Sequence, residues 1–200
     1  MLASINPLGE RARNRRWGTT VSAYLAGSLL GGGSLGALLG FIGARLGDLT
    51  AASPGTIAVL VAAACTMGLA FDLHLGGLRL PTVHRQVNKD WLDRYRGWVY
   101  GLGFGFQLGL GVVTVVNTAA IYLTFVLALL SGSAAAGLVI GATFGFVRGF
   151  VILGVRRAHR PEQLARTLRR LQSFAPASRG IGVGLQALAG VVVAGSVLGW

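Results

Sequence analysis

The side chains in this sequence that could do chemistry are few, and two of them, Asp72 and Arg148, are charged groups inside long apolar runs. A charged side chain at the centre of a membrane helix costs about 2.5–3.5 kcal/mol on insertion scales, so such groups are expected to pair. Asp72 and Arg148 would lie at similar depths in two different helices. Their placement predicts a site that binds an anion or a coupling ion, an ion pair with a structural role, or two side chains that snorkel separately to the membrane interface.

Four uncharged polar residues complete the candidate intramembrane polar site: Ser34, Gln107, Thr114 and Asn117. An amide or a hydroxyl group in hydrocarbon needs a hydrogen-bond partner. These side chains therefore either line a hydrated cavity or cross-link neighbouring helices, and the sequence leaves both alternatives open.

The residue patterns of an active site are missing from the sequence. The chain has one cysteine, Cys65, and its three histidines share no metal-ligand spacing. It also lacks a Ser–His–Asp set, a pair of catalytic carboxylates and a Cys-x-x-Cys motif. We therefore expect no enzymatic activity, no cofactor and no bound metal.

The composition indicates the elements that must hold these residues. Of the 200 residues, 53% are apolar and 12% are charged, and the mean hydropathy is +0.65; soluble domains average about 25% charged residues. The stretch from Gly97 to Val147 lacks any charged residue or histidine. As one helix it would run about 77 Å, against a hydrocarbon core of about 30 Å. The sequence predicts an all-α, polytopic membrane helical bundle, with residues 1–200 forming a single integral membrane domain.

The arginines predict how the bundle is oriented. Three segments are rich in arginine: a basic tail at 1–16 and two arms at 79–97 and 156–179. Because positive residues concentrate in cytoplasmic loops, all three are expected in the cytoplasm, with the protein in the cell inner membrane and its N-terminus inside. This pattern favours five spans. Nucleic acid is not an expected partner, since the arginines lie beside apolar runs.

The second arm has the pattern of an amphipathic helix at the membrane surface. Apolar residues recur at helical spacing from Leu164 to Phe174, with arginines on the opposite face. Such a helix suits anionic lipid headgroups, although a solvated linker would show the same charges. The side chains expected to contact lipid or a partner are Arg156, Arg157, Arg166, Arg169 and Arg170.

Two of the apolar runs are too long for simple spans, which predicts breaks at Gly31–Ser34 and at Gln107–Thr118. A turn is predicted at Ser131–Ser133. Residues 68–79 also parallel residues 145–156, which suggests two related halves with broken first helices. Transporters are often built from such halves. A six-span count fits this arrangement but departs from the pattern of the arginines.

Glycines recur every four residues in three runs, one of which contains Gly137, Gly141, Gly145 and Gly149. This spacing puts a bare backbone face on one side of a helix, and so predicts close helix–helix packing.

Several of these segments resemble the membrane domain of the CcdA/DsbD cytochrome c biogenesis family. The resemblance rests on residues 23–30, 77–81 and 101–109, followed by Ser131–Ser133. It implies two related three-helix halves, with one cysteine in a break of the first helix of each. The equivalent positions here, Gly31–Ser34 and Gly109–Thr114, contain no cysteine. Thiol–disulfide exchange needs a thiolate at each step, so that activity is not expected.

Two functions from different classes remain open at this point. The first is a small transporter-like protein that moves an unidentified solute or ion past the two breaks. The second is a non-catalytic membrane subunit or scaffold that packs against partner helices and anionic lipid. Expected partners are the bilayer and either another membrane protein or further copies of the chain.

Overall fold

The computed structural model describes residue 5 and residues 7–50, 53–73, 95–111, 119–156 and 160–198. All the regular structure in these ranges is helical, as predicted. The helices are α1 (Pro7–Ala12), α2 (Trp17–Thr50), α3 (Pro54–Asp72), α4 (Gly97–Leu110), α5 (Ala120–Leu130), α6 (Ala134–Phe150) with a 3₁₀ extension (Val151–Val155), α7 (Pro161–Ser173) and α8 (Ala175–Leu198).

Three of the described helices are long and apolar enough to cross a membrane. They cover Trp17–Gly47, Gly55–Asp72 and Ala134–Val155, and two shorter apolar helices cover Ala120–Leu130 and Gly180–Val192. The coarse prediction of an apolar helical protein therefore holds, but the bundle of five to six spans is not established by these helices.

The predicted break at Gly31–Ser34 is wrong, because α2 continues without interruption from Trp17 to Thr50. A glycine inside a helix costs about 1 kcal/mol relative to alanine, and here packing offsets that cost. Gly31 and Gly32 lie directly against the backbones of two neighbouring helices, where a larger residue would not fit.

The second expected interruption falls where α4 ends and α5 begins. Leu110 is the last residue of α4, and Gly111 follows with a left-handed φ of 69°. Helix α5 then starts at Ala120; residues 112–118 lie outside the described residues. The turn predicted at Ser131–Ser133 is present, with Gly132 at φ 56° and the Ser133 hydroxyl accepting a hydrogen bond from Ala136 N–H.

Helix α2 is the centre of the bundle, with α4 and α6 packed along it. Residues 20, 24 and 28 of α2 meet residues 101, 105 and 109 of α4, so these two helices run parallel. The register is 81 residues, which is also the offset between Trp17 and Trp98. Residues 32, 36 and 40 meet residues 141, 137 and 133, so α6 runs antiparallel to α2.

The starts of α2 and α4 and the end of α6 therefore lie at one end of the bundle. A buried apolar cluster closes this end; it comprises Ile5, Val21, Tyr24, Tyr100, Phe104, Ile152 and Val155. Helix α3 packs mainly against α8, and this pair meets the central helices through α5.

Candidate functional site

The face of α2 toward α4 has no room for side chains at its glycines. A Cβ added to Gly27 or Gly31 would overlap the carbonyl oxygen of Leu102 or Phe106. From the other side, a Cβ on Gly105 would overlap the carbonyl oxygen of Tyr24. The two helices thus touch backbone to backbone, which is the contact that regularly spaced small residues permit.

The face of α2 toward α6 is equally close, and its contacts are reciprocal. A Cβ on Gly32 would overlap the carbonyl oxygen of Gly141, and a Cβ on Gly141 would overlap that of Gly32. Gly36 and Gly137 form the same reciprocal contact one turn further along. The glycine spacing of α6 predicted close packing, and these contacts are where it occurs.

Ser28 lies where the three central helices meet. Its side chain is fully buried, and its hydroxyl donates a hydrogen bond of 3.2 Å to the carbonyl oxygen of Gly105 on α4. A Cβ on Gly149 of α6 would come within 2.9 Å of the same hydroxyl oxygen. The polar group at the centre of the bundle is therefore engaged in joining helices.

Asp72 is buried at the end of α3 and contacts the start of α5. Its Oδ1 accepts a hydrogen bond of 2.7 Å from the backbone N–H of Ala119, the residue before α5. A carboxylate at a helix N-terminus is stabilised by the unsatisfied N–H groups and by the helix dipole. This contact gives Asp72 a structural role that the sequence did not indicate.

Arg148 is half-buried on α6, with its guanidinium 5.7 Å from the centre of the Phe144 ring. A cation over an aromatic face is attracted by the negative face of the ring. The described contacts of Asp72 and Arg148 thus involve different neighbours, and the hypothesis that the two form an ion pair stays a prediction.

The other members of the predicted polar site are dispersed. Ser34 is exposed, and its hydroxyl donates to the carbonyl oxygen of Gly31 in its own helix at 3.1 Å. Gln107 is half-buried on α4. Thr114 and Asn117 lie outside the described residues. Across the described ranges, no group of three or more His, Cys, Asp or Glu side chains could hold a metal ion.

A polar cluster that was not predicted lies at the closed end of the bundle. Glu10 of α1 is fully buried, and its two carboxylate oxygens accept hydrogen bonds from the hydroxyl groups of Thr20, at 2.7 Å, and Tyr100. Arg13 is 4.0 Å from the same carboxylate, and Arg15 lies 5.5 Å from the centre of the Tyr100 ring. Two features of the sequence could have indicated this cluster: Pro7, which suits the first turn of a helix, and Glu10, an acidic residue among arginines.

The arginines predicted to contact lipid are exposed where the structure describes them. Arg166, Arg169 and Arg170 lie on α7, and Arg156 lies at the end of the 3₁₀ extension. Arg157 is outside the described residues. Leu164 of α7 packs against the buried apolar cluster, which fixes this helix across the closed end of the bundle.

Comparison with known proteins finds no matching family description and no matching solved structure. It does find curated relatives named methylamine utilization protein MauF. The protein from Methylophilus methylotrophus is 36% identical over an alignment of 152 residues that covers 74% of this chain and 52% of the relative. The protein from Paracoccus versutus is 35% identical over 154 residues, with coverages of 74% and 54%. The chain spans about half the length of these relatives.

The resemblance to the CcdA/DsbD family is therefore wrong, since the matching relatives are named MauF. The segments behind that resemblance consist mainly of glycine and leucine. In the structure four glycines of these segments, Gly27, Gly101, Gly105 and Gly109, form the α2–α4 contact. Close packing of apolar helices imposes such a pattern in unrelated membrane proteins.

Proposed function

We propose that this chain is an accessory membrane protein of methylamine utilization, acting as a non-catalytic subunit or scaffold. The similarity to the MauF proteins supports the role in methylamine utilization. The packing of the central helices supports a scaffold over a transporter.

One observation favours the scaffold over the transporter: the central helices touch through their backbones. Where α2 meets α4 and α6, even one methyl group added at most of the glycines would collide with a backbone atom. The central hydroxyl, that of Ser28, is hydrogen bonded to α4. A path for a solute through these interfaces would require α2 to separate from both neighbours. A rigid core suits a protein that presents its outer surface to others.

We propose α8 as the helix that meets partner helices. It exposes an apolar face that includes Ile181, Leu185 and Leu188. Gly180 and Gly184, four residues apart, have open space where a Cβ would be, unlike the glycines of the central helices. Small residues at this spacing allow another helix to approach closely.

We also propose an orientation in the cell inner membrane with the N-terminus in the cytoplasm. The starts of α2 and α4 and the end of α6 lie at one end, beside the exposed arginines of α7. Basic side chains at that end suit both the cytoplasmic side and anionic lipid headgroups.

A chimera tests the proposed role. In Paracoccus denitrificans, this chain would replace the matching segment of the host MauF protein, and growth on methylamine would be compared with growth on succinate. We expect the chimera to support growth on methylamine, and Gly184→Leu to abolish it without lowering the amount of protein in the membrane. Gly18→Leu, the same substitution at an open position on α2, is the matched control and should leave growth unchanged. A chimera that is present in the membrane but supports no growth would contradict the proposal.

A covalent lock tests the scaffold against the transporter. A Cβ on Gly33 would lie 3.6 Å from the Cβ of Ala142, within the range of disulfide-bonded cysteines. Gly33→Cys combined with Ala142→Cys, in a Cys65→Ser background, should join α2 to α6. Growth on methylamine should survive complete cross-linking. If each single variant grew and the cross-linked double variant did not, motion between these helices would be required.

A further inference from the structure

Helix α7 connects two apolar helices at the closed end of the bundle. The apolar helix Ala134–Val155 ends before α7 begins, and only Phe174 separates the end of α7 from the start of α8. The apolar part of α8, Gly180–Val192, begins five residues after Ala175, which is about 8 Å along a helix. Helix α7 therefore lies close to the membrane surface when both apolar helices are placed in the membrane.

Exposed aromatic side chains lie at the same end of the bundle. Phe174 is exposed between α7 and α8, and Tyr95 and Trp98 are exposed at the start of α4. Tyrosine and tryptophan are enriched where lipid headgroups meet the hydrocarbon, because their rings are apolar and carry one polar group. Exposed rings at this level favour a lipid surface over a soluble acidic protein as the partner of this end.

The charges of α7 are concentrated on one face. Arg166, Arg169 and Arg170 are exposed, and their spacing of three and four residues makes the second and third neighbours of the first on the helix surface. The one acidic residue in the sequence of α7, Glu162, lies four residues before Arg166 and therefore neighbours that arginine. The charges of Arg169 and Arg170 are left for another anion, and the planar guanidinium group matches the oxygens of a phosphate.

We propose that α7 lies along the membrane surface and that Arg169 and Arg170 bind the phosphate of an anionic phospholipid. Leu164, on the opposite face, holds the first half of α7 against the buried apolar cluster. The two arginines precede Phe174 by five and four residues, which places them within about 8 Å of the exposed ring along the helix. The proposal rests on the membrane placement proposed above, but it is independent of the role in methylamine utilization.

A fluorescent label on α7 tests the lipid contact in the whole chain, held in phosphatidylcholine nanodiscs. Gln172→Cys, in a Cys65→Ser background, carries the label at an exposed position three residues after Arg169. Small amounts of spin-labelled phosphatidylglycerol or spin-labelled phosphatidylcholine then quench the label according to their local concentration. One basic side chain near an anionic surface gives about a fivefold preference, so two should enrich phosphatidylglycerol at the label by about tenfold or more. Arg169→Gln combined with Arg170→Gln should remove most of this enrichment.

Two further variants control for charge and for position. Arg45→Gln removes an exposed arginine near the opposite end of α2 and should leave the enrichment unchanged. Arg169→Lys combined with Arg170→Lys keeps both charges and should keep most of the enrichment. The glutamine variant should unfold at the same temperature as the unaltered protein in phosphatidylcholine, because both side chains are exposed. A lower unfolding temperature would show that the arginines support the structure, and would overturn the proposal.

The contrary outcomes separate the lipid site from the membrane placement. Equal quenching by the two lipids would overturn the lipid site alone, as would an enrichment that survives in the glutamine variant. Quenching by iodide in the water phase, with none by either lipid, would show that α7 lies in water as a linker or as a site for a soluble acidic protein. That result would overturn the position of α7 at the membrane surface as well. Growth of the MauF chimera does not enter this measurement.

Discussion

Two adjacent glycines of α2 provide a test of the backbone contact between α2 and α6. Alanine at position 32 would drive its methyl group into the carbonyl oxygen of Gly141 and to 3.2 Å from the Cα of Gly145. Alanine at position 33 would place its methyl group 3.6 Å from the Cβ of Ala142, an ordinary van der Waals distance. The two substitutions are chemically identical and lie one residue apart, so they differ mainly in what the methyl group meets.

The magnitudes of the two effects follow from this difference. Each substitution should gain about 1 kcal/mol, because alanine favours a helix more than glycine does. At position 33 this gain should appear as added stability. At position 32 the methyl group collides with backbone atoms, which cannot move aside by changing rotamer. The expected destabilisation is about 3 kcal/mol, the upper part of the usual range for overpacking. The net result is a loss of about 2 kcal/mol, and the variants should differ by about 3 kcal/mol.

Thermal unfolding of the purified protein in one detergent measures the difference. For a chain of this length 1 kcal/mol corresponds to roughly 2–4 °C, so Gly33→Ala should melt about 6–12 °C above Gly32→Ala. Gly184→Ala, at an open position on α8, is a third comparison and should behave like Gly33→Ala. Equal melting temperatures for positions 32 and 33 would refute the close contact between α2 and α6.

Three further experiments address other contacts. Gly190→Cys should form a disulfide with the native Cys65 on oxidation, because a Cβ at position 190 would lie 3.4 Å from the Cβ of Cys65; a shift in mobility after thiol labelling reports it. Glu10→Ala should lower the free energy of unfolding by about 2–3 kcal/mol, since it leaves two hydroxyl groups without their charged acceptor. Asp72→Asn and Arg148→Gln should each lower stability, and the double variant should recover part of the loss if the two charges are paired.

Each of these tests has a control or a contrary outcome. Gly195→Cys, with open space around position 195, should form no bond to Cys65. Glu162→Ala is the control for Glu10→Ala. Because Glu162 is exposed, its loss should change the free energy of unfolding by no more than about 0.5 kcal/mol. If the effects of the Asp72 and Arg148 substitutions simply add, the charges are not coupled, and the contact of Asp72 with the start of α5 is then sufficient to explain its burial.

The features of the fold that the sequence predicted depend on local chemistry. Ser131–Ser133 are residue types that favour turns and lie between two apolar runs. Helix α5 ends just before them and α6 begins just after them. The apolar residues at helical spacing from Leu164 predicted an amphipathic helix, which the structure shows as α7. The spacing of Gly137 and Gly141 predicted a close contact, although their partners, Gly36 and Gly32, could not be named from the spacing alone.

The features that the sequence did not predict depend on tertiary contacts. Gly31–Ser34 has the composition of a helix break, yet two neighbouring helices hold it helical by packing on its bare faces. Glu10 seemed to belong to a solvated basic tail, because nothing near it in the sequence indicates that Thr20 and Tyr100 enclose it. Gln186 lies in an apolar run like many others, and nothing near it in the sequence indicates that it is buried.

The glycine pattern explains why close helix packing was predicted correctly and why the family was not. Helices that touch through their backbones in an apolar environment need a small residue about once per turn. That requirement fixes glycine at four-residue intervals and leaves leucine, valine and phenylalanine for the outer faces. Bundles of different families acquire similar segments under this constraint, so segments of glycine and leucine could not identify the family of this chain. The same constraint allows a close backbone contact at the glycines of α6 to be predicted, but not the residues of α2 that they meet. Function has to be sought at positions that packing does not dictate, such as Gly180 and Gly184 of α8, where an added Cβ would meet nothing.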